Sequence, residues 1–266
     1  LEAPHILILI DDREKAVVEP LENQINDFEK IYDFDLMKNS GHIVGYNVNE
    51  SAKKNILDAI EKLGDKADFE AKYGDKGVLM FAAGDGNHSL ATAKTCWEEI
   101  KKELSEEEIK THPARFALVE LMNIHDETLE FEPIQRVIFE TEPKKLLDEL
   151  VAFYGAEYED NGGQRIDYTY GGNEGSIYIK NTDSNLPVGT LQKFLDKYLA
   201  ENGGKIDYIH GNDVVRNLAK ADNTIGFMVD SMEKNDLFTT VIKDGSLPRK
   251  TFSMGEAADK RFYLEC

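Results

Sequence analysis

Apolar residues along this chain fall into short unbroken runs and into stripes at helical spacing, and the first half alternates the two. Ile6 to Ile10 is one unbroken run, closed by Asp11-Asp12, and Gly77-Val78-Leu79-Met80-Phe81-Ala82-Ala83 is another. Runs without polar alternation read as strands covered on both faces. The second run leads through Gly84-Asp85-Gly86-Asn87-His88-Ser89 into a stripe of Leu90, Ala93, Lys94, Trp97, Ile100 and Leu104. It predicts a buried strand over 77–83, a sharp turn, and a helix over 89–104. Between the runs, Val17, Leu21, Ile25 and Phe28 mark a helix over 16–28 with Pro20 near its first turn. Residues 30–36 and 42–48 predict a hairpin around Asn39-Ser40-Gly41. Asn49 or Ser51 can cap a helix carrying Ile56, Leu57, Ile60 and Leu63, which Gly64 breaks.

After a short acidic helix start at 105–110, two extended runs, 114–124 and 129–139, flank His125-Asp126-Glu127-Thr128. They predict a long antiparallel hairpin or a pair of sheet strands. Pro143 opens a helix over 144–154. Short strands at 157–160, 165–170 and 176–179, broken by the glycine pairs 162–163 and 171–172, read as an exposed meander. A helix over 190–199 ends at Gly203-Gly204, and 206–209, 213–220, 224–229 and 233–242 then alternate strand and helix. The expected class is α/β (α+β), a mixed sheet with helices packed on it. The expected division is a core lobe over 1–140 and a smaller α+β lobe over 141–266.

Charge narrows the partners. Lys and Arg total 31 against 51 Asp and Glu, a net −20, and such a surface opposes binding to nucleic acid or anionic membranes. Cys96 and Cys266 form no disulfide framework and have no metal-ligand spacing. No apolar run approaches the roughly 20 residues of a membrane span, no signal peptide is visible, and a cytoplasmic location is expected. The chain starts without Met and reads as a fragment.

The candidate chemistry sits at the turn after 77–83. Strand, glycine turn and helix start aim free backbone N–H groups and the positive end of the helix dipole at one point, which suits a phosphate or carboxylate. Gly84, Gly86, Asn87 and Ser89 are the expected contacts, and Asp85, Asn87 and Ser89 are also competent caps. Many strands turn into helices this way without binding anything. The Asn87-His88 pair favours a ligand, since a capped turn needs no imidazole. Asp11-Asp12 reads as a helix start or as part of a polar site, the former being commoner. His125 with Asp126 reads as a solvated turn. His210-Gly211-Asn212-Asp213 repeats the strand, glycine and cap logic, with ordinary capping favoured. His5, His42 and His112 read as surface or packing groups.

Asp85-Gly86-Asn87-His88, after a strand and opening an Ala-rich helix, resembles the signature of domain-of-unknown-function family 1015, usually Asp-Gly-His-His-Arg. Glu132-Pro133-Ile134-Gln135-Arg136-Val137 is similar to its Pro-Thr-His-Arg segment. Ile206-Asp-Tyr-Ile-His210, Gly226-Phe-Met-Val229 and Pro248-Arg-Lys-Thr-Phe252 resemble its closing region in their order. On this resemblance the match runs from about Gly77 onward and the chain looks like a C-terminal portion. The loop is in turn similar to the nucleotide-phosphate loop of the ParB/sulfiredoxin superfamily, which includes nucleotide-binding clamps, a sulfinic-acid reductase and free-serine kinases. The resemblance implies ATP, ADP or another nucleotide with Mg, or another phosphorylated small molecule.

Three functions follow. The first is a phosphotransferase, with Asp85 as general base or metal contact and His88 as phosphate donor or acid. The second is a non-catalytic nucleotide-binding module, favoured by two departures from the family pattern: Ser89 replaces the phosphate-touching Arg, and Gln135 replaces a His. Arg136, or else Arg249 with Lys250, would then supply the positive charge. The third, a two-metal phosphoesterase suggested by Gly86-Asn87-His88, lacks the upstream Asp and His ligands that such enzymes need.

Overall fold

Leu7–Ile10 forms the first strand, β1, and its unbroken apolar run is buried as its pattern demands, with Leu9 and Ile10 fully covered. The computed structural model describes residues 6–37 and 41–254. They belong to two units, one taking in the chain through Leu129 and the other beginning at Glu130. The architecture is mixed α/β, with parallel and antiparallel pairing and with helices interspersed among the strands.

In the first unit, Glu19–Asp27 is a 3-10 helix with Pro20 in its first turn, and none of its residues is buried. The helical stripe there is met by a tighter helix than an amphipathic pattern leads one to expect. β2 (Glu29–Asp35) and β3 (His42–Asn47) form the expected antiparallel hairpin, although Asn39 and Ser40 of its turn lie outside the described residues. α1 (Glu50–Leu63) starts where the Asn49 side chain accepts the Ala52 N–H at 2.9 Å, and it stops at Gly64. α2 (Lys66–Tyr73) is capped by Asp65, whose Oδ1 accepts from the Ala67 and Asp68 amides. β4 (Ala82–Asp85), α3 (Asn87–Ile100), α4 (Glu106–Thr111) and β5 (Glu120–Asn123) complete this unit. Ser105 and Glu108 close a capping box at the start of α4.

Two expectations fail here. The run 77–83 is not a strand covered on both faces: only Ala82–Asp85 pairs, antiparallel to β1 and at the edge of a sheet of order β4-β1-β5. Gly77 takes φ 80°, and Val78 and Phe81 are each 41% exposed. Ala82, Ala83 and Gly84 offer too little side chain to hold a buried position, so the bulky residues of β1 take the centre. Of the two readings of 114–124 and 129–139, the hairpin fails, while strands in sheets are found within both runs, at Glu120–Asn123 and Phe131–Phe139. β5 instead runs parallel to β1, from Leu7 opposite Glu120 to Ile10 opposite Asn123. Phe116 and Leu118 are 65% and 67% exposed, so the apolar face such a hairpin needs is absent.

The second unit is built on β6 (Phe131–Phe139), whose residues from Ile134 to Ile138 are all buried. α5 (Pro143–Tyr154) begins at Pro143 as expected. β7 (Gln164–Tyr170) and β8 (Asn173–Ile179) pair antiparallel around Gly171-Gly172, and Ile166, Ile177 and Ile179 are buried rather than exposed. α6 (Pro187–Asn202), β9 (Lys205–His210), α7 (Asn212–Leu218), β10 (Ile225–Met228), α8 (Asp236–Asp244) and β11 (Phe252–Met254) follow. The sheet order is β11-β6-β10-β7-β8, with β9 also paired to β6. β10 lies on one edge of β6, while β9 along Ile134–Phe139 and β11 along Phe131–Pro133 share the other. No described helix is long and apolar enough to cross a membrane.

Candidate functional site

Asp85 ends β4 opposite Leu7, and Gly86 turns the chain into α3 with φ 78° and ψ 14°, a left-handed conformation that suits glycine. Gly86 is the N-cap residue, no side chain caps the helix, and its first turn carries no acidic residue. Asp85 bends back on its own neighbour: Oδ1 accepts the Gly86 N–H at 2.8 Å. The Gly86 carbonyl accepts from Leu90 at 2.9 Å as the helix begins. The amides of Asn87, His88 and Ser89 have no acceptor among the described residues. Asn87 and His88 are exposed and Ser89 is half-buried. His88 is therefore no core residue, and its carbonyl accepts the Thr92 hydroxyl at 2.9 Å. Three free donors at the positive end of a 14-residue helix can hold an anion.

Arg136, Arg249 and Lys250 belong to the second unit, where the structure brings Arg136 and Arg249 together. Arg136 is fully buried. Its Nε donates to Gln192 Oε1 at 3.3 Å, Nη2 to the Arg249 carbonyl at 3.2 Å, and Nη1 to the Ile134 carbonyl. Burial pushes its pKa down to about 10 against the pull of Tyr208 and Asp196, which leaves it charged at neutral pH. The Tyr208 ring lies 5.3 Å from the Arg136 guanidinium and 5.9 Å from that of Arg249. Arg249 also faces Asp196 at 3.6 Å. Lys250 is exposed. Gln135 is buried and ties two strand ends together: Oε1 accepts the Val229 N–H at 2.9 Å, and Nε2 reaches the Val229 carbonyl and Asn212 Oδ1.

A second polar cluster in the first unit has Asp11 at its centre. The Asp11 side chain is 8% exposed and accepts from His125 Nε2 at 2.6 Å, from Lys72 Nζ at 2.5 Å and from the Tyr73 hydroxyl, with Arg13 Nε at 3.7 Å. Burial works to raise the Asp11 pKa, but the hydrogen bonds of Lys72, Tyr73 and His125 outweigh it and hold the carboxyl below its ordinary value. Burial, and then Asp11, push the Tyr73 phenol well above its usual range, so it remains a donor. Neighbouring Asp12 is structural, its Oδ2 accepting the Ala16 and Val17 amides at 2.7 and 2.8 Å. Asp11-Asp12 therefore starts no helix, the next one beginning at Glu19; Asp12 holds a turn, Asp11 is part of a polar site, and His125 is not a solvated turn residue. Nothing local in the sequence joins Asp11 to His125. They meet because β1 and β5 are parallel, which the hairpin expectation for 114–139 hid.

No cluster of three or more metal-ligating side chains exists among the described residues. No curated protein matches the chain in sequence. Among solved structures, a free serine kinase variant in complex with AMP is similar over 96% of this chain and 87% of its own, at 10% identity and a TM-score of 0.40. A conserved hypothetical protein from Pyrococcus furiosus is similar over 97% and 93%, at 10% identity and a TM-score of 0.41. SbnI from Staphylococcus aureus, truncated at its C-terminus, is similar over 97% and 82%, at 10% identity and a TM-score of 0.38. The family model described as protein of unknown function, DUF1015, matches residues 1–198. The match thus includes the 76 residues before Gly77 that the motif resemblance left out, and it stops short of the segments at 206–252. With its loop Asp85-Gly86-Asn87-His88 set between an edge strand and an uncapped helix, this chain belongs to the DUF1015 family.

Proposed function

We propose that the Gly84–Ser89 loop binds the phosphate of a nucleotide or of another phosphorylated small molecule. The observation that carries this reading is the uncapped start of α3, where the Asn87, His88 and Ser89 amides find no acceptor among the described residues. The Asp85 carboxylate was the natural competitor for those donors, and it takes only the Gly86 amide. Helix-dipole charge of about half a unit supplements the three amides. His88, exposed at the second helical position, can donate to a phosphate oxygen or protonate a leaving group.

Mg travelling with a nucleotide usually keeps several waters and takes one or two protein carboxylates besides the phosphates. Asp85 fits that demand, since Oδ1 holds the Gly86 amide and the carboxylate is exposed. When bound, Mg would offset charge on the phosphates. The chain's own residues would position the phosphate and supply a proton donor, which is most of what phosphoryl transfer asks of a protein. Ser89 and Gln135, in place of Arg and His, favour binding without turnover as the second reading.

Thermal-shift titration with ATP, ADP, AMP and inorganic phosphate, with and without Mg, tests the binding. A ligand at about 100 times its Kd stabilises the protein by roughly 2.7 kcal/mol, and His88→Ala weakens that gain while costing little stability. Turnover of the best binder with hydroxyl amino acids separates a phosphotransferase from a binding module. A protein unaffected by any of these ligands overturns the reading.

A further inference from the structure

Asp11 and His125 stand at the carboxyl ends of the parallel strands β1 and β5, the end of a parallel pair where ligands in α/β sheets are usually held. Asp85 and Gly86 lie beside Leu7, at the other end of β1. Four residues at about 3.3 Å each separate the two places by roughly 13 Å along the strand. The Asp11 cluster therefore belongs to a different place on the unit from the Gly84–Ser89 loop.

Several features set this cluster apart from an ion pair that only ties elements together. His125 is fixed twice, through Nε2 on Asp11 at 2.6 Å and through its own amide on Asn123 Oδ1 at 3.2 Å. A neutral imidazole whose Nε2–H is given to a carboxylate carries its lone pair on Nδ1. Nδ1 has no partner among the described residues, and the side chain is 17% exposed, so a small molecule can reach it. The cluster also holds more cation than Asp11 requires: Lys72 and Arg13 both face this one carboxylate, in a chain of net charge −20. Lys72 spends one of its three donors on Asp11 and keeps the others.

We propose that His125, oriented by Asp11, is the proton-accepting group of a second site, which takes a small anionic molecule bearing a hydroxyl. Lys72 and Arg13 hold the anionic group, and the hydroxyl donates to His125 Nδ1. In the transfer the O–H bond breaks, the N–H bond forms at Nδ1, and the electron pair stays on the ligand oxygen beside the cations. The positive imidazole that results lies against Asp11, the arrangement by which a buried carboxylate supports a histidine base. The reverse step returns the proton. Asp11 acts here as a positioning residue, because it touches the histidine and not the ligand.

Carbethoxylation with diethyl pyrocarbonate, read peptide by peptide by mass spectrometry on the folded full chain, tests the proposal, since the reagent attacks an accessible unprotonated ring nitrogen. His125 is expected to be modified once, at Nδ1. Glycerol 3-phosphate, which carries both hydroxyl and anion, should slow that modification about tenfold at roughly ten times its Kd, whereas glycerol should not. The protection should persist in Gly86→Ala, where the phosphate loop is strained, and should vanish in Lys72→Met, in which His125 still reacts. Asp11→Asn should lower the reactivity of His125 in protein that remains folded. An unmodified His125 in the wild-type chain, or modification at one rate with and without glycerol 3-phosphate, overturns the proposal and leaves the cluster as an internal brace.

Discussion

Gly86 is the backbone position on which the turn into α3, and with it the proposed phosphate site, depends, and replacing it separates geometry from chemistry. At φ 78° and ψ 14° it precedes the first turn of α3. A Cβ in the left-handed region costs roughly 1–2 kcal/mol. Alanine also restricts the unfolded chain, which returns roughly 0.4–1 kcal/mol where the native conformation allows it. Gly86→Ala should therefore destabilise by about 1 kcal/mol, and the branched Gly86→Val by more. Gly86→Asn should cost less than either, because asparagine tolerates the left-handed region and caps helices. The assay is built in: Trp97, the one tryptophan of the chain, lies on α3 and stacks on His112 with ring centroids 5.7 Å apart. Urea unfolding followed by Trp97 fluorescence should move the midpoint down by about 0.3–1 M for Gly86→Ala at an unchanged slope. Phosphate affinity should fall in the order glycine, asparagine, alanine, valine. Equal stability of the alanine and asparagine variants would show that residue 86 is not left-handed and that the turn into α3 does not need glycine.

Gly226 of β10 has no room for a side chain: a Cβ there would sit 2.3 Å from Val215 Cγ1 and 3.2 Å from Thr169 Cγ2. Val215 is the fully buried residue by which α7 packs on the sheet, so Gly226→Ala should cost roughly 1–3 kcal/mol by overpacking. Adding Val215→Ala should recover part of that in circular-dichroism melts, and a neutral Gly226→Ala would show that the helix can move away. Asp11 sets an acid limit on stability. Its folded pKa lies below the unfolded one, so its contribution is fully present above the unfolded value of about 4 and is lost as pH falls through the folded value. Asp11→Asn should therefore remove part of the stability loss that the wild type shows below about pH 4, and an unchanged acid profile by Trp97 fluorescence would count against the cluster as described.

Much of the fold was legible because local rules act locally. Asn49, Ser105 and Pro143 announce helix starts that the structure bears out, and Gly64 and Gly203 announce stops. The hairpin of β2 and β3 and the pairing of β7 with β8 follow from alternation bounded by glycine. What misled was pairing across long separations. The run 77–83 looks as buried as Ile6 to Ile10, but apolarity alone does not say which strand takes the centre, and β1 is there. Residues 114–139 read equally as one hairpin or as two sheet strands, and only the pairing decides: β5 pairs with β1 more than a hundred residues away, and β6 enters another sheet. The same cause hid the Asp11 cluster, which exists only because that parallel pairing places His125 beside Asp11. The loop at 84–89 was readable because strand end, glycine and helix start are contiguous. The surroundings of Arg136 were not, since its partners Gln192 and Arg249 come from α6 and from the stretch just before β11.

The most direct test of the proposed phosphate site is a titration of the isotopically labelled chain with inorganic phosphate and with ADP, followed by amide chemical shifts. The Asn87, His88 and Ser89 amides should move first and farthest, saturating together with one Kd, and the same three should move less in Gly86→Val. Shifts confined to other amides while these three stay still would contradict phosphate binding at the start of α3.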